Sequence, residues 1–157
     1  MNRRWYIHCL WIPVVIFLIP FLGTSSTTGG MDWYDTLTLP SFTPDGSVIG
    51  AVWTVLYILI AISMIFTCRR LEGKKKESLV ALYAINLTAN ALWTPIFFGE
   101  HRIDLALLTI LVIDVTGIML VWQLWKDNRT EAALLIPYVA WVLFATFLNA
   151  SILTLNA

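Results

Sequence analysis

Five apolar stretches follow one another along the chain, and short polar connections separate most of them. They lie near residues 5–23, 47–68, 78–99, 103–125 and 131–154. Because a helix rises about 1.5 Å per residue, about 20 apolar residues are needed to cross roughly 30 Å of hydrocarbon, and each stretch is close to that length. We therefore expect residues 1–157 to form a single all-α integral membrane domain, a five-transmembrane-helix bundle.

Polar side chains interrupt the third stretch, which contains the segment NLTANALWTPIFFG. At 100° per residue, Asn86, Asn90 and Trp93 fall within about 60° of one another and form one stripe. An unpaired amide in hydrocarbon costs several kcal/mol, so the two asparagines should face protein or a polar cavity. The other side carries mainly small residues suited to close packing or a dimer contact, namely Ala81, Ala84, Thr88, Ala91 and Pro95. Pro95 is also expected to bend the helix near its outer end.

The second and fifth stretches also carry stripes at four-residue spacing, each of which contains tryptophan. The residues are Ile49, Trp53 and Tyr57 in the second stretch and Trp141, Ala145 and Asn149 in the fifth. One tryptophan stripe in a membrane helix is usually a packing or interfacial feature. Three stripes at depths beyond the aromatic belt instead indicate convergent walls of a pocket for a large, flat, mostly apolar molecule.

One connection, residues 24–46, is long for neighbouring helices. It holds Trp33, Tyr34 and Phe42 beside Pro40 and Pro44, a mixture too apolar and too stiff for a solvated linker. Long loops in compact proteins are usually functional or disordered. We interpret this one as a folded outer loop that covers the mouth of the bundle, with an interfacial aromatic anchor as the alternative.

Composition and charge support a membrane location. The chain is 59% hydrophobic and only 13% charged, with a mean hydropathy of +0.77, which is outside the balance of a soluble domain. If Met1 is cytoplasmic, nine of the ten basic residues lie on the inner side and Arg102 alone on the outer side. The positive-inside rule then predicts a cytoplasmic N-terminus and an external C-terminus.

Asp114 is a carboxylate deep within a predicted span. An acid at that depth suggests a proton or cation site, and with it a small transporter or channel subunit. The structural alternative is an acid paired with a hydroxyl such as Thr109 or Thr116, or protonated in place. Because no basic residue lies at comparable depth, the structural interpretation is slightly favoured.

The sequence contains no hydrolytic motif, nucleotide-binding loop, metal-ligand cluster or conventional catalytic triad. This absence argues against most enzyme classes and leaves enzymatic activity as an open alternative. We predict no metal site and no nucleic-acid partner, and the lipid bilayer as the surroundings.

Four motifs occur in order along the chain. They are WYDTLTLPSFTPDG, VWTVLY, NLTANALWTPIFFG and LLIPYVAWVLFATFLN. Together they resemble the tryptophan-rich sensory protein family, the bacterial relatives of the translocator protein or peripheral benzodiazepine receptor. The resemblance covers about residues 33–150, whereas the first span matches only in position and hydrophobicity.

This resemblance implies a five-helix bundle, commonly a homodimer, with a pocket that opens toward the first loop. It implies a receptor or carrier for a porphyrin, either protoporphyrin IX or a haem-like molecule, with roles in tetrapyrrole transport, sensing or stress response and no covalent cofactor. Some members also bind sterols or benzodiazepine-type ligands. Carried over by motif, the ligand-binding residues are Trp33, Tyr34, Pro44, Ile49, Trp53, Tyr57, Asn86, Asn90, Trp93, Trp141, Ala145 and Asn149.

The resemblance also implies an enzymatic alternative, the light-dependent oxidative degradation of protoporphyrin. Trp53 and Trp141 stand where that activity places two tryptophans, and they would be catalytic only in that case. Two departures from the family pattern stand out. The end of the fifth span lacks the tyrosine and basic residue of the cholesterol pattern, and Asp45 replaces the second proline after the loop.

Overall fold

The computed structural model describes residues 27–157, in which all regular structure is helical. The elements are α1 at residues 27–34, α2 at Gly46–Arg70, α3 at Gly73–Thr94 with a π-helix at Pro95–Gly99, α4 at Ile103–Trp125 and α5 at Arg129–Leu155. Four of these are long and apolar enough to cross a membrane: α2, α3 with the π-helix, α4 and α5. The prediction of an all-helical, multi-pass membrane protein is thus confirmed for the described residues. The first predicted span, residues 5–23, lies outside them.

Local sequence explains where the helices begin and end. The side chain of Asn128 accepts hydrogen bonds from the backbone N–H groups of Thr130 and Glu131, which starts α5. Pro95 has no amide hydrogen to continue the bonding of α3. The chain therefore widens into a π-helix, in which the N–H of Glu100 donates to the carbonyl of Pro95. The structure thus has a π-helical turn at the point where the sequence predicted a bend.

The four long helices pack with α5 between α2 and α4, and α4 between α5 and α3. Gly117 lies where α4 approaches both of its neighbours. A Cβ atom at this position would lie 3.3 Å from the side chain of Val139 on α5 and 3.7 Å from Nδ2 of Asn86 on α3. The glycine therefore permits a close three-helix contact.

A buried ion pair joins α2 and α5 at the end of the bundle that carries the basic connection. Nε and Nη2 of Arg70 donate to the two carboxylate oxygens of Glu131, each at 2.8 Å. Glu131 is 1% exposed and also accepts a hydrogen bond from the hydroxyl of Thr67 at 3.0 Å. Its backbone carbonyl accepts another from Ser63 at 2.8 Å. The charge of Glu131 is therefore fully compensated where it is buried.

The two faces of α3 differ in burial. Asn86 and Asn90 are buried, whereas Ala81, Ala84 and Thr88 on the other side are exposed on the described part of the chain. The amides are thus enclosed by protein, and the small residues form an open surface along the helix.

Candidate functional site

The flap, which we define as residues 27–45, lies across one end of the bundle. Its helix α1 contacts the π-helix so closely that a Cβ atom on Gly30 would lie 2.2 Å from the carbonyl oxygen of Phe98. Trp33 stacks on His101 with ring centroids 4.3 Å apart and planes at 14°. Tyr34 contacts the ring of Phe98 with centroids 5.5 Å apart. Backbone and side chains together hold α1 against the end of α3.

The second half of the flap is attached to the end of α5. The backbone N–H of Thr38 donates to Oδ1 of Asn156 at 2.9 Å, and Nδ2 of Asn156 donates back to the Thr38 carbonyl at 3.0 Å. Phe42 stacks on Phe147 with centroids 5.3 Å apart. The flap therefore bridges the ends of α3 and α5.

A cavity of about 880 Å³ lies beneath the flap and is lined by all four long helices. This volume is within the usual range for small-molecule and cofactor sites. Ten of the residues proposed from the sequence line it, namely Tyr34, Pro44, Ile49, Trp53, Tyr57, Asn90, Trp93, Trp141, Ala145 and Asn149. The second, third and fifth predicted spans and the flap thus converge on one space.

The structure also places residues in the lining that sequence reasoning missed. Phe97 and Phe98 come from the π-helix, Ile110 and Ile113 from α4, and Phe144 from α5. Phe144 follows Trp141 by three residues, so helical spacing was a signal that could have found it. The two isoleucines carry no such signal, because a membrane helix is apolar on all sides.

Two of the predicted site residues, Trp33 and Asn86, lie outside the lining. Trp33 packs against His101, as described above. Nδ2 of Asn86 donates to the backbone carbonyl of Ile113 at 2.9 Å and to Oγ1 of Thr116 at 2.8 Å, and its Oδ1 accepts from the hydroxyl of Tyr138 at 2.7 Å. Asn86 therefore joins α3 to α4 and α5.

Four polar side chains of the lining, those of Tyr57, Asn90, Trp93 and Asn149, are bonded to neighbours on other helices. The hydroxyl of Tyr57 donates to Oδ1 of Asn90. Nε1 of Trp93 donates to Oδ1 of Asn149 at 3.1 Å, and Nδ2 of Asn149 donates to the carbonyl of Ile103 at 3.1 Å. These bonds hold the aromatic side chains in fixed orientations around the cavity.

Trp141 differs from these residues because its indole N–H is buried without an acceptor in residues 27–157. Leaving a buried donor unpaired costs about 1–3 kcal/mol, so such groups are uncommon and call for an explanation. Trp141 lines the cavity, and its ring contacts Phe144 with centroids 5.3 Å apart. The ring of Trp141 therefore forms part of the aromatic wall, while its N–H is enclosed by the protein.

Two ionisable groups outside the membrane-spanning helices border the cavity. Burial, and then the nearby carboxylate of Asp35, raise the pKa of Tyr34 above its usual value of 10.0, so its hydroxyl stays neutral near pH 7. Asp45 also borders the cavity and is exposed. Residues 27–157 contain no group of three or more His, Cys, Asp or Glu side chains placed to hold a metal ion.

Asp114 lies outside the cavity lining. It is 5% exposed, and its Oδ2 accepts a hydrogen bond from the hydroxyl of Thr146 on α5 at 2.6 Å. The predicted pairing with a hydroxyl is confirmed, but the partner is Thr146 and not Thr109 or Thr116. Each of the latter two hydroxyls donates to the backbone carbonyl four residues earlier in α4, a bond that threonine readily makes within a helix.

Comparison with known proteins gives consistent matches over nearly the whole chain. A family model described as the TspO/MBR family matches residues 9–155. The tryptophan-rich sensory protein of Cereibacter sphaeroides is 33% identical, over 99% of this chain and 95% of that protein. The translocator protein of Ovis aries is 35% identical, over 88% of this chain and 87% of that protein. The tryptophan-rich protein TspO of Bacillus cereus is 34% identical, over 79% of this chain and 80% of that protein.

Proposed function

Because the chain belongs to the TspO/MBR family, we propose that it is a membrane receptor or carrier that binds a porphyrin, or a similarly flat apolar molecule, beneath the flap. The observation that carries this proposal is the cavity of about 880 Å³ with aromatic walls from α2, α3 and α5. Flat conjugated rings stack on aromatic side chains with little loss of freedom. Protoporphyrin IX or a haem-like molecule is the ligand class we propose, in transport, sensing or a stress response.

Specific contacts support this ligand class. Trp53 enters from α2 and Trp141 from α5, while Trp93 stacks on Phe97 at a centroid distance of 4.9 Å. We propose the ten lining residues as direct contacts. Trp33 and Asn86 would act indirectly, by holding the flap and the helices.

The proposal includes an arrangement in the bilayer. Residues 5–23 would supply a fifth span, and the N-terminus would be cytoplasmic with the C-terminus outside. Nζ of Lys126 lies 3.4 Å from the ring centroid of Trp122, and this pairing of a basic residue with tryptophan is typical of a membrane interface. The exposed small-residue side of α3 is the surface that we propose for a homodimer.

A porphyrin titration tests the binding site. The visible emission of protoporphyrin would be followed as purified protein in lipid nanodiscs is added, so that removing a tryptophan does not remove the reporter. Truncating a buried aromatic anchor typically costs 2 kcal/mol or more, so Trp53→Ala and Trp141→Ala should each weaken binding by roughly thirtyfold. The matched control is Trp122→Ala, because Trp122 is 60% exposed and lies outside the cavity lining. Unchanged titrations in both cavity variants would sink the proposal.

A second candidate function is the light-dependent oxidative degradation of protoporphyrin, with dioxygen as the oxidant. The observation that favours it is that Trp53 and Trp141 line the same cavity, so a bound porphyrin would lie beside two oxidisable indoles. Illumination of the complex should then bleach the porphyrin absorbance faster than in free solution. Bleaching no faster than with Trp141→Phe or with free porphyrin would leave binding alone.

A third candidate is a small transporter or channel subunit that uses Asp114, a carboxylate buried inside a membrane-spanning helix. Flux in liposomes that is abolished by Asp114→Asn would support it. Normal flux in that variant would remove the idea.

A further inference from the structure

The binding proposal leaves Asp114 unused, although this residue has the most unusual position in the structure. It lies eleven residues from either end of α4, which spans Ile103–Trp125. At about 1.5 Å per residue, the carboxyl group is roughly 16 Å from each end of the helix, close to the middle of the hydrocarbon. Residues 105–125 contain no other charged side chain. Asp114 is therefore a carboxyl group at the depth where ionisation costs most.

The contacts of the carboxyl group are incomplete. Oδ2 accepts the hydrogen bond from Thr146, whereas Oδ1 is buried without a hydrogen-bond partner in residues 27–157. Asp114 is also absent from the cavity lining, although its neighbour Ile113 and the neighbour of Thr146, Ala145, are both part of it. Adjacent helical residues point about 100° apart, so the Asp114–Thr146 pair belongs to the contact between α4 and α5.

No cation within residues 27–157 compensates the carboxyl group. None of the ion pairs formed within residues 27–157 includes Asp114. The helices that pack on α4 place Tyr138 of α5 near it, and the Tyr138 hydroxyl donates to Asn86. Glu131 of α5 is neutralised by Arg70, and the Tyr83 hydroxyl of α3 bonds with Ser63. The remaining titratable side chains of these helices lie in their first turns at the basic end, namely Lys74, Lys75, Lys76, Glu77 and Arg129, and the π-helix has none.

The neutral acid is the form that these surroundings favour. Among residues 27–157, an ionised carboxylate here would find one hydrogen bond and no counter-ion. The neutral acid keeps the bond from Thr146 and leaves only one O–H unpaired within the same residues. A metal cation would need several oxygen ligands. The Thr146 hydroxyl already directs its proton at Oδ2 and is poorly placed to act as one.

We propose that Asp114 is a proton-binding site in the middle of the membrane, separate from the ligand cavity, where the carboxyl group stays a neutral acid at neutral pH. The proton lies on Oδ1, and Thr146 donates to Oδ2. Release of this proton would place a lone negative charge between α4 and α5. The site gives the chain an acid–base group that the binding of a flat ligand does not require.

Labelling with dicyclohexylcarbodiimide tests the site, because this apolar reagent reacts with protonated carboxyl groups inside membranes. The acid O–H adds across one C=N bond, and the adduct rearranges to a stable N-acylurea, so no atom is lost and no oxidant is needed. In lipid nanodiscs at pH 7, we expect mass spectrometry to find the label on Asp114. A water-soluble carbodiimide should instead modify exposed acids such as Asp104, and Asp114→Asn should abolish the apolar label.

Infrared spectroscopy supplies a readout that is independent of reagent access. The wild-type protein at pH 7 should show the C=O stretching band of a protonated carboxyl group, and this band should be absent from Asp114→Asn. If that variant does not fold, loss of the wild-type band only at strongly alkaline pH supports the proposal equally. An ionised Asp114 at pH 7, or protection from labelling by sodium ions, would overturn it. Neither measurement uses the ligand, so both remain decisive if no porphyrin binds.

Discussion

Replacing Gly30 by alanine should push the flap away from the end of α3 without altering any residue of the cavity lining. The added Cβ atom would lie 2.2 Å from the carbonyl oxygen of Phe98 and 2.9 Å from its carbonyl carbon. Ordinary contacts begin near 3.4 Å, so α1 must withdraw by about 1 Å, because a backbone carbonyl cannot rotate away as a flexible side chain can. Overpacking of this kind costs about 1–3 kcal/mol. If the cost falls on flap closure, ligand affinity drops by roughly fivefold to a hundredfold.

The neighbouring glycine provides a matched control. A Cβ atom on Gly29 meets nothing within 4 Å, and the substitution Gly29→Ala changes helix propensity by the same amount as Gly30→Ala, about 1 kcal/mol. The assay is the rate of protoporphyrin dissociation in a competition experiment, since a displaced flap should speed release. We expect at least a fivefold faster release from Gly30→Ala and an unchanged rate from Gly29→Ala. Equal rates in the two variants would refute the inference that α1 closes the cavity.

Three further substitutions probe other parts of the structure. Arg70→Ala leaves the buried carboxylate of Glu131 without its partner and should lower the free energy of unfolding by about 3 kcal/mol. Glu131→Gln leaves an arginine that reaches water and should lower it by about 1 kcal/mol. Similar melting temperatures for the two variants would contradict this difference. Asn86→Ala removes three buried hydrogen bonds and should lower the free energy of unfolding by about 3 kcal/mol. Porphyrin affinity, measured at low temperature where the variant stays folded, should remain within a few-fold of wild type. A large loss of affinity under that condition would make Asn86 a direct contact. Asp45→Asn should speed protoporphyrin association at low salt, because Asp45 at the mouth of the cavity repels the two carboxylates of the ligand. The gain in association rate should vanish at high salt. A gain that persists at high salt would exclude charge as its cause.

Hydrophobic length predicted the described helices well. The predicted span at 103–125 coincides with α4, and the span at 131–154 differs from Arg129–Leu155 by one or two residues at each end. The larger difference is at the start of α3, where the helix begins at Gly73, five residues before the predicted span at 78–99. Hydropathy cannot show this extension. At the membrane surface the backbone N–H and C=O groups of a polar segment can bond within a helix or to water equally well.

The site was predictable where aromatic spacing was informative and not elsewhere. Trp53 and Trp141 were predicted as cavity residues because their indoles lie too deep in the membrane to belong to the interfacial aromatic belt. Asn86 was predicted to line the pocket because its helical angle shows which side of α3 it lies on, but not which residue it contacts. In the structure its amide donates hydrogen bonds to residues of α4. Phe98 would lie about 120° from Asn86 on a regular helix. In the structure Phe98 lies in the π-helix and lines the cavity, whereas a proline in the sequence predicts only a bend and not a π-helical turn.

The most direct test of the central claim is a structure of this protein with protoporphyrin IX bound in lipid. The account predicts a single porphyrin beneath the flap, with its ring against Trp53 and Trp141. A porphyrin bound only to the outer, lipid-facing surface of the helices, with the cavity beneath the flap left empty, would contradict it.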